Sequence, residues 1–215
     1  MLPLDSLLAF LAISVAITLA PGPDNLMVLG QSLARGRAAG FGLALGCALG
    51  CFTHTLWAAL GVSALLAASP NAFFALKLAG ALYLVWIGVQ ALRSGGIAAA
   101  GRGDATALPW RRYVARGFIA NAVNPKVALF FLAFLPQFAR PETGAAAWQM
   151  LVLGAAFAAQ TVVVFGAIAL AAGSIGRLLA HRPRLGPWLD RLSGVIFIGL
   201  AANLLLGGRG GPEAG

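Results

Sequence analysis

The sequence predicts an all-α integral membrane protein: six transmembrane helices arranged as two inverted three-helix repeats, with helices 1 and 4 broken by proline. Three observations carry this. First, 60% of the 215 residues are hydrophobic, another 28 are glycine, and only 10% are charged, against about 45–50% apolar and about 25% charged in a soluble domain. A soluble fold of this size has too much surface to hide that much apolar matter. Soluble enzymes, nucleic-acid binders and disordered tails are thereby excluded. Second, charge and proline divide the chain into six apolar runs, each near or above the roughly 20 residues a helix needs to cross a bilayer. Third, the basic residues concentrate in the loops after helices 1, 3 and 5, on one side of the membrane.

The six runs are Leu4–Leu33, Ala39–Ala68, Ala72–Leu92, Gly117–Phe138, Ala147–Gly173 and Trp188–Leu206. They lack alternation and exceed the roughly 9–11 residues of a barrel strand. The first run has no basic residue before it, and Pro21 follows Ala20 where cleavage would fall, so it is expected to be retained. The loops after helices 1, 3 and 5 hold Arg35 and Arg37, then Arg93, Arg102, Arg111, Arg112 and Arg116, then Arg177, Arg182, Arg184 and Arg191; the other side holds Arg140 and Arg209. The excess of positive charge belongs on the cytoplasmic side, which places both termini outside. The net charge of +9 is therefore read as an orientation signal. Trp110, Tyr113, Trp148 and Trp188 fall near helix ends, where interfacial aromatics belong. Residues 1–93 form the first repeat and 116–215 the second. Between them, 94–115 is a cytoplasmic linker, rich in Gly and Ala over Ser94–Pro109 and expected to be flexible.

The halves resemble each other. Lys77-Leu78-Ala79-Gly80 with Tyr83-Leu84 in helix 3 matches Arg191-Leu192-Ser193-Gly194 with Phe197-Ile198 in helix 6. Helices 1 and 4 each carry a proline followed by a charge, Pro23-Asp24 and Pro125-Lys126. Three helices per half is an odd number, so the second half must be inverted, as in many secondary transporters.

The two breaks carry the chemistry. Leu4–Leu33 as one helix would be about 45 Å long, too long for a hydrocarbon core of about 30 Å. Pro21, Gly22 and Pro23 interrupt it, and the prolines cannot donate to the carbonyls of Ile17 and Leu19. Pro125 likewise leaves the carbonyl of Asn121 without its helical donor and pushes Asn124 out of α geometry. Irregular backbone at membrane depth is tolerated where it is buried or lines a cavity. Gly22-Pro23 and Asn124-Pro125 each read as an N-cap followed by proline, so two half-helices start inside the membrane with N-termini that attract anions. Asp24 and Lys126 add full charges there, at a cost of about 2.5–3.5 kcal/mol each on insertion scales. A zwitterion fits: an α-ammonium against Asp24 and an α-carboxylate against Lys126 and the half-helix N–H groups. Asn25, Asn121 and Asn124 flank these charges as candidate substrate contacts. The alternative is that Asp24 and Lys126 pair directly, or that Asp24 caps its half-helix.

His54 continues a stripe of Gly42, Gly46 and Gly50 at four-residue spacing, so it faces protein; Gly61 returns to the same face. It is read first as a hydrogen-bonded packing residue flanked by Thr53 and Thr55, and second as a partner of Asp24 in proton coupling. Gln160, Thr161 and Asn203 are expected to bond between helices. Cys47 and Cys51 read as small packing residues. With His54 they form the one candidate group for a rival reading, metal-ion or other small-solute efflux, but carboxylate ligands are missing. No H-E-x-x-H motif and no second intramembrane acid supports an enzyme, and no cofactor or bound metal is implied. The glycine stripe permits a homodimer and serves packing within one chain equally well.

At Pro21–Leu26 (PGPDNL), Lys77–Gly88 (KLAGALYLVWIG) and Asn124–Lys126 (NPK, within GFIANAVNPKVALFF) the chain resembles the LysE/RhtB family of bacterial amino-acid exporters. The resemblance implies a six-helix protein of the bacterial inner membrane that moves amino acids outward by proton antiport, with Pro21–Asn25 and Asn124–Lys126 as its functional core. Asp24 is the only acid deep in an expected helix, so a second substrate cation would find no second carboxylate. The expected substrate is therefore neutral, of the homoserine, threonine or leucine type. Its expected partners are the amino acid, protons and lipid. Transport is expected to proceed by rocking one half against the other.

Overall fold

A computed structural model describes residues 3–62, 69–94, 108–139 and 144–206. Among these the regular structure is entirely helical. Helix α1 spans Leu4–Leu19, α2 Pro23–Arg35 and α3 Arg37–Leu56, the last running on into a π-helical turn over Trp57–Val62. Helix α4 spans Pro70–Arg93, α5 Trp110–Ala122 and α6 Pro125–Ala133, which passes into a 3₁₀ turn at Leu135–Phe138. Helix α7 spans Ala146–His181 and α8 Leu185–Leu206.

Each boundary has a local cause. Ala20, before Pro21, leaves helical geometry (φ −58°, ψ 123°), and α1 stops. Pro23 is pre-set for the first turn of α2, where Asp24 meets the positive end of the helix dipole. Gly36 ends α2 at φ 85°, a left-handed conformation that glycine adopts at no cost. The Ser69 hydroxyl accepts from Ala72 N–H at 3.3 Å and opens α4. The Asn124 side chain does the same for α6, accepting from Lys126 N–H at 3.0 Å.

Four helices are long and apolar enough to cross a membrane among the described residues, and each of two bent pairs adds a span if counted as one. The pairs are α1 with α2, bent by 58°, and α5 with α6 and its 3₁₀ turn, bent by 56°. The chain is thus a multi-pass membrane protein.

Several element limits differ from the apolar runs. The fourth segment opens at Trp110 rather than Gly117, because Pro109 and a basic amphipathic turn start the helix before the apolar run does. The fifth continues past Gly173 to His181, since Ser174–Ala180 holds no proline and its one glycine, Gly176, packs against Leu33. The expected linker lies outside the described residues over 95–107, as do Arg102, Arg140 and Arg209. Trp110, Trp148 and Trp188 are exposed as interfacial residues should be, but Tyr113 is buried against α3, its hydroxyl accepting from Leu108 N–H.

Packing rests on small residues. Along α3, Gly42, Gly46 and Gly50 face Tyr113, Gly117 and Asn121 of α5. A methyl group at Gly46 would collide with the carbonyl of Val114 and lie 2.7 Å from Phe118 N. The two backbones therefore touch, which is how TM helices approach without a hydrophobic driving force. Helices α4 and α8 cross in the same way, where a Cβ at Gly194 would lie 2.7 Å from the Gly88 carbonyl. Gly61 has open space around it and joins no such contact. A phenylalanine cluster, Phe10, Phe130, Phe131, Phe134 and Phe157, fills the space where α1, α6 and α7 meet. A second, smaller core joins Val28, Leu43, Tyr113 and Phe165.

Gly46→Ala should lower stability by about 1–3 kcal/mol, because the atoms it meets are backbone and cannot turn aside. Gly61→Ala, into open space, should cost nothing measurable. Thermal unfolding of the two variants in detergent checks the contrast.

Candidate functional site

The carbonyls that the prolines cannot serve are the foundation of the site. At the first break, Ile17 O accepts from the Lys126 ammonium at 3.3 Å and Ala20 O from the same ammonium at 3.1 Å. Thr18 O accepts from Asn25 Nδ2 at 2.6 Å. At the second break, Asn121 O accepts from His54 Nε2–H at 2.9 Å and from Asn124 N–H at 2.9 Å. The Asn121 side chain donates to Asp24 Oδ2 at 2.8 Å. Each charged residue thus reaches across to the other half's break: Lys126 on α6 holds the end of α1, and Asp24 on α2 is bonded by the last turn of α5. The Lys126 ammonium also lies 5.6 Å from the centroid of the Phe197 ring on α8, a cation–π contact.

A cavity lies between the breaks. Its polar lining is Thr18, Asp24, Asn25, Asn121, Lys126 and Thr161, and its apolar wall is Ile17, Val127, Phe130, Phe157 and Phe165. The space open to the centre of a water-sized sphere is about 20 Å³, enough for about one water molecule. Three buried oxygens on this lining, Asp24 Oδ1, Asn25 Oδ1 and Asn121 Oδ1, accept no hydrogen bond from the protein. One buried donor, Asn124 Nδ2, is likewise unpaired. Buried polar atoms are nearly always satisfied, so this cluster of exceptions makes the cavity a candidate binding site. The oxygens suit a group rich in N–H, while the Lys126 ammonium and the Asn124 amide suit an anion.

Of the residues singled out from sequence, Asp24, Asn25, Asn121 and Lys126 come together on this lining. Asn124 caps α6 beside them, and Pro21, Gly22, Pro23 and Pro125 form the turns. Direct pairing of Asp24 with Lys126 is not what forms, because carbonyls take the ammonium and Asn121 takes one carboxylate oxygen. His54 is buried under Phe131 and does not line the cavity. Its neighbours Thr53 and Thr55 bond back to Gly50 O and Cys51 O on their own helix instead of to its ring. Gln160 does bond between helices, donating to Thr18 Oγ1 at 2.9 Å, whereas Asn203 is exposed. Cys47 and Cys51 are buried, free thiols, and no group of three or more His, Cys, Asp or Glu is found among the described residues. The sequence reading missed Thr18 and the three phenylalanines of the wall. Thr18 lies one turn before Pro21–Pro23, and that proximity was the available signal; the phenylalanines have none, being three of thirteen.

His54→Ala should leave the Asn121 carbonyl with the Asn124 N–H alone and cost about 0.5–1.5 kcal/mol of stability. His54→Gln, which keeps an N–H donor, should recover part of that loss. Thermal unfolding of both variants reads the difference.

Residues 15–208 match the family description LysE type translocator. An uncharacterized membrane protein of Vibrio cholerae is 32% identical over 200 residues, covering 89% of this chain and 92% of that protein. Leucine efflux proteins of Klebsiella pneumoniae and Salmonella typhimurium are 28% and 27% identical, covering 92% and 91% of this chain and 93% and 92% of their own lengths. No solved structure matches the chain. With the family match spanning both breaks and the cavity between them, this chain belongs to the LysE type translocator family.

Proposed function

We propose that this protein exports neutral amino acids from the cytoplasm across a bacterial inner membrane in exchange for protons. The observation that carries the reading is the cavity's lining: unpaired acceptors, an ammonium and an apolar wall within one small space. An amino acid supplies the complement of each. Its α-ammonium meets Asp24, Asn25 and Asn121, its carboxylate meets Lys126 with Asn124, and its side chain lies against Val127, Phe130, Phe157 and Phe165. The relatives named leucine efflux proteins support an aliphatic side chain there. Asp24 is the only carboxylate on the lining, so a second positive charge on the substrate would go unmatched.

The cavity as it stands is far smaller than an amino acid, so substrate enters by a change of shape. Residues 1–93 and 116–215 act as inverted halves that rock about the two breaks, opening the cavity first to the cytoplasm and then to the outside. The arginine-rich loops face the cytoplasm and both termini face outward. A proton arriving from outside neutralises Asp24, weakens its hold on the ammonium and resets the site. His54 serves this cycle by bracing the second break.

Asp24→Asn should leave the protein inserted and reduce proton-driven export at least tenfold, given about 1.5–3 kcal/mol for a hydrogen bond to a charged group. Efflux of labelled leucine from loaded cells measures it, and unchanged efflux would remove Asp24 from the mechanism. In the same assay labelled lysine should leave much more slowly than leucine; the reverse order would overturn the neutral substrate class.

A further inference from the structure

Gly22 stands between the two prolines of the first break, and its backbone does not require glycine. Its φ of −174° and ψ of 179° are extended values open to any residue. What glycine supplies is space. A Cβ at this position would lie 2.8 Å from Lys126 Nζ and 3.5 Å from its Cε. No other side chain comes as near, and the obstructing group is the tip of a long, flexible side chain. The missing methyl group therefore leaves room for the Lys126 ammonium beside Gly22 while it bonds Ile17 O and Ala20 O.

That ammonium carries out two tasks that compete. It closes the broken end of α1, at the negative pole of that helix, and it faces the cavity that takes the substrate's carboxylate in the reading above. A carboxylate is a stronger partner for an ammonium than two neutral carbonyls are. We propose that Gly22 is a positioning residue for transport: it seats the Lys126 ammonium on the end of α1 as a latch between the halves, and the arriving carboxylate draws the ammonium off and frees α1. The proposal rests on the amino-acid reading for its second clause and on geometry alone for its first. On this reading a ligand with a carboxylate would be moved, while one with only an amine would merely bind.

Gly22→Ala tests it, because the clash is with a movable side-chain tip and the fold should survive; Lys126→Met serves as the variant without a latch. In the first measurement, hydrogen exchange of the full chain in nanodiscs without ligand should quicken about fivefold or more over residues 14–20 in both variants. Unchanged exchange in either variant overturns the latch, whatever the substrate. In the second, the KM of Gly22→Ala for leucine export should fall about fivefold or more, because the carboxylate no longer competes with the end of α1 for the ammonium, while inhibition by leucinamide, which lacks the carboxylate, stays as in the wild type. A KM that does not fall, or leucinamide inhibition that strengthens in parallel, overturns the carboxylate's part. If the wild type exports no amino acid at all, that part falls together with the proposed function, and the exchange data decide the latch by themselves.

Discussion

A carbonyl that has lost its donor inside a membrane must find another, and the rest of this structure follows from that constraint. Pro21 and Pro125 each remove one helical N–H where no water competes to replace it. The replacements come from distant parts of the chain: Lys126 for the end of α1, His54 for the end of α5. Neither of these bonds is local, although Asn121 O also accepts from the nearby Asn124 N–H. Each ties elements more than 60 residues apart in sequence, so the breaks that interrupt two helices also tie distant parts of the fold together.

The exchange explains the siting of the charges. A lone ammonium or carboxylate in an apolar bundle is costly. Lys126 offsets its cost with two carbonyls at a helix C-terminus and the face of Phe197. Asp24 does so with the positive end of α2 and one amide hydrogen from Asn121. The balance is incomplete by design of the geometry: one carboxylate oxygen and two amide oxygens face the cavity unpaired. The glycine contacts between α3 and α5 bear on this directly, because they bring the backbone of α3 close enough for His54 to reach Asn121.

Much of this was legible in the sequence, for identifiable reasons. Proline and glycine act locally, so PGPDNL and NPK located both breaks and the orphaned carbonyls of Ile17 and Asn121 before any coordinates. The family, too, could be read from those motifs. What replaced the lost donors could not be read, because it depends on which helices touch. Lys126 and Asp24 invited a simple ion pair, and the structure gives each a different partner. Tyr113 sits at a helix end like an interfacial residue, yet the Gly42 side of α3 leaves a slot that buries it. Asp190 was another silent residue: Ser94 at the end of α4 donates to its carboxylate at 2.5 Å, a lock between α4 and α8 that nothing local announces. The apolar wall was invisible for the same reason, since any of thirteen phenylalanines could have formed it.

Helix α7 is unbroken over 36 residues and packs on α1, α2 and α3. It therefore touches the chain on both sides of the 58° bend and acts as a fixed rail beside a jointed arm. The arm is α1, 16 residues and about 24 Å long at the usual rise per residue. A lever of that length turns small angles into large displacements: ten degrees at Pro21 carries Leu4 about 4 Å sideways, nearly half the spacing of packed helices. A change of one hydrogen-bond length at the joint is thus enough to open or shut a gap the width of a side chain at the far end.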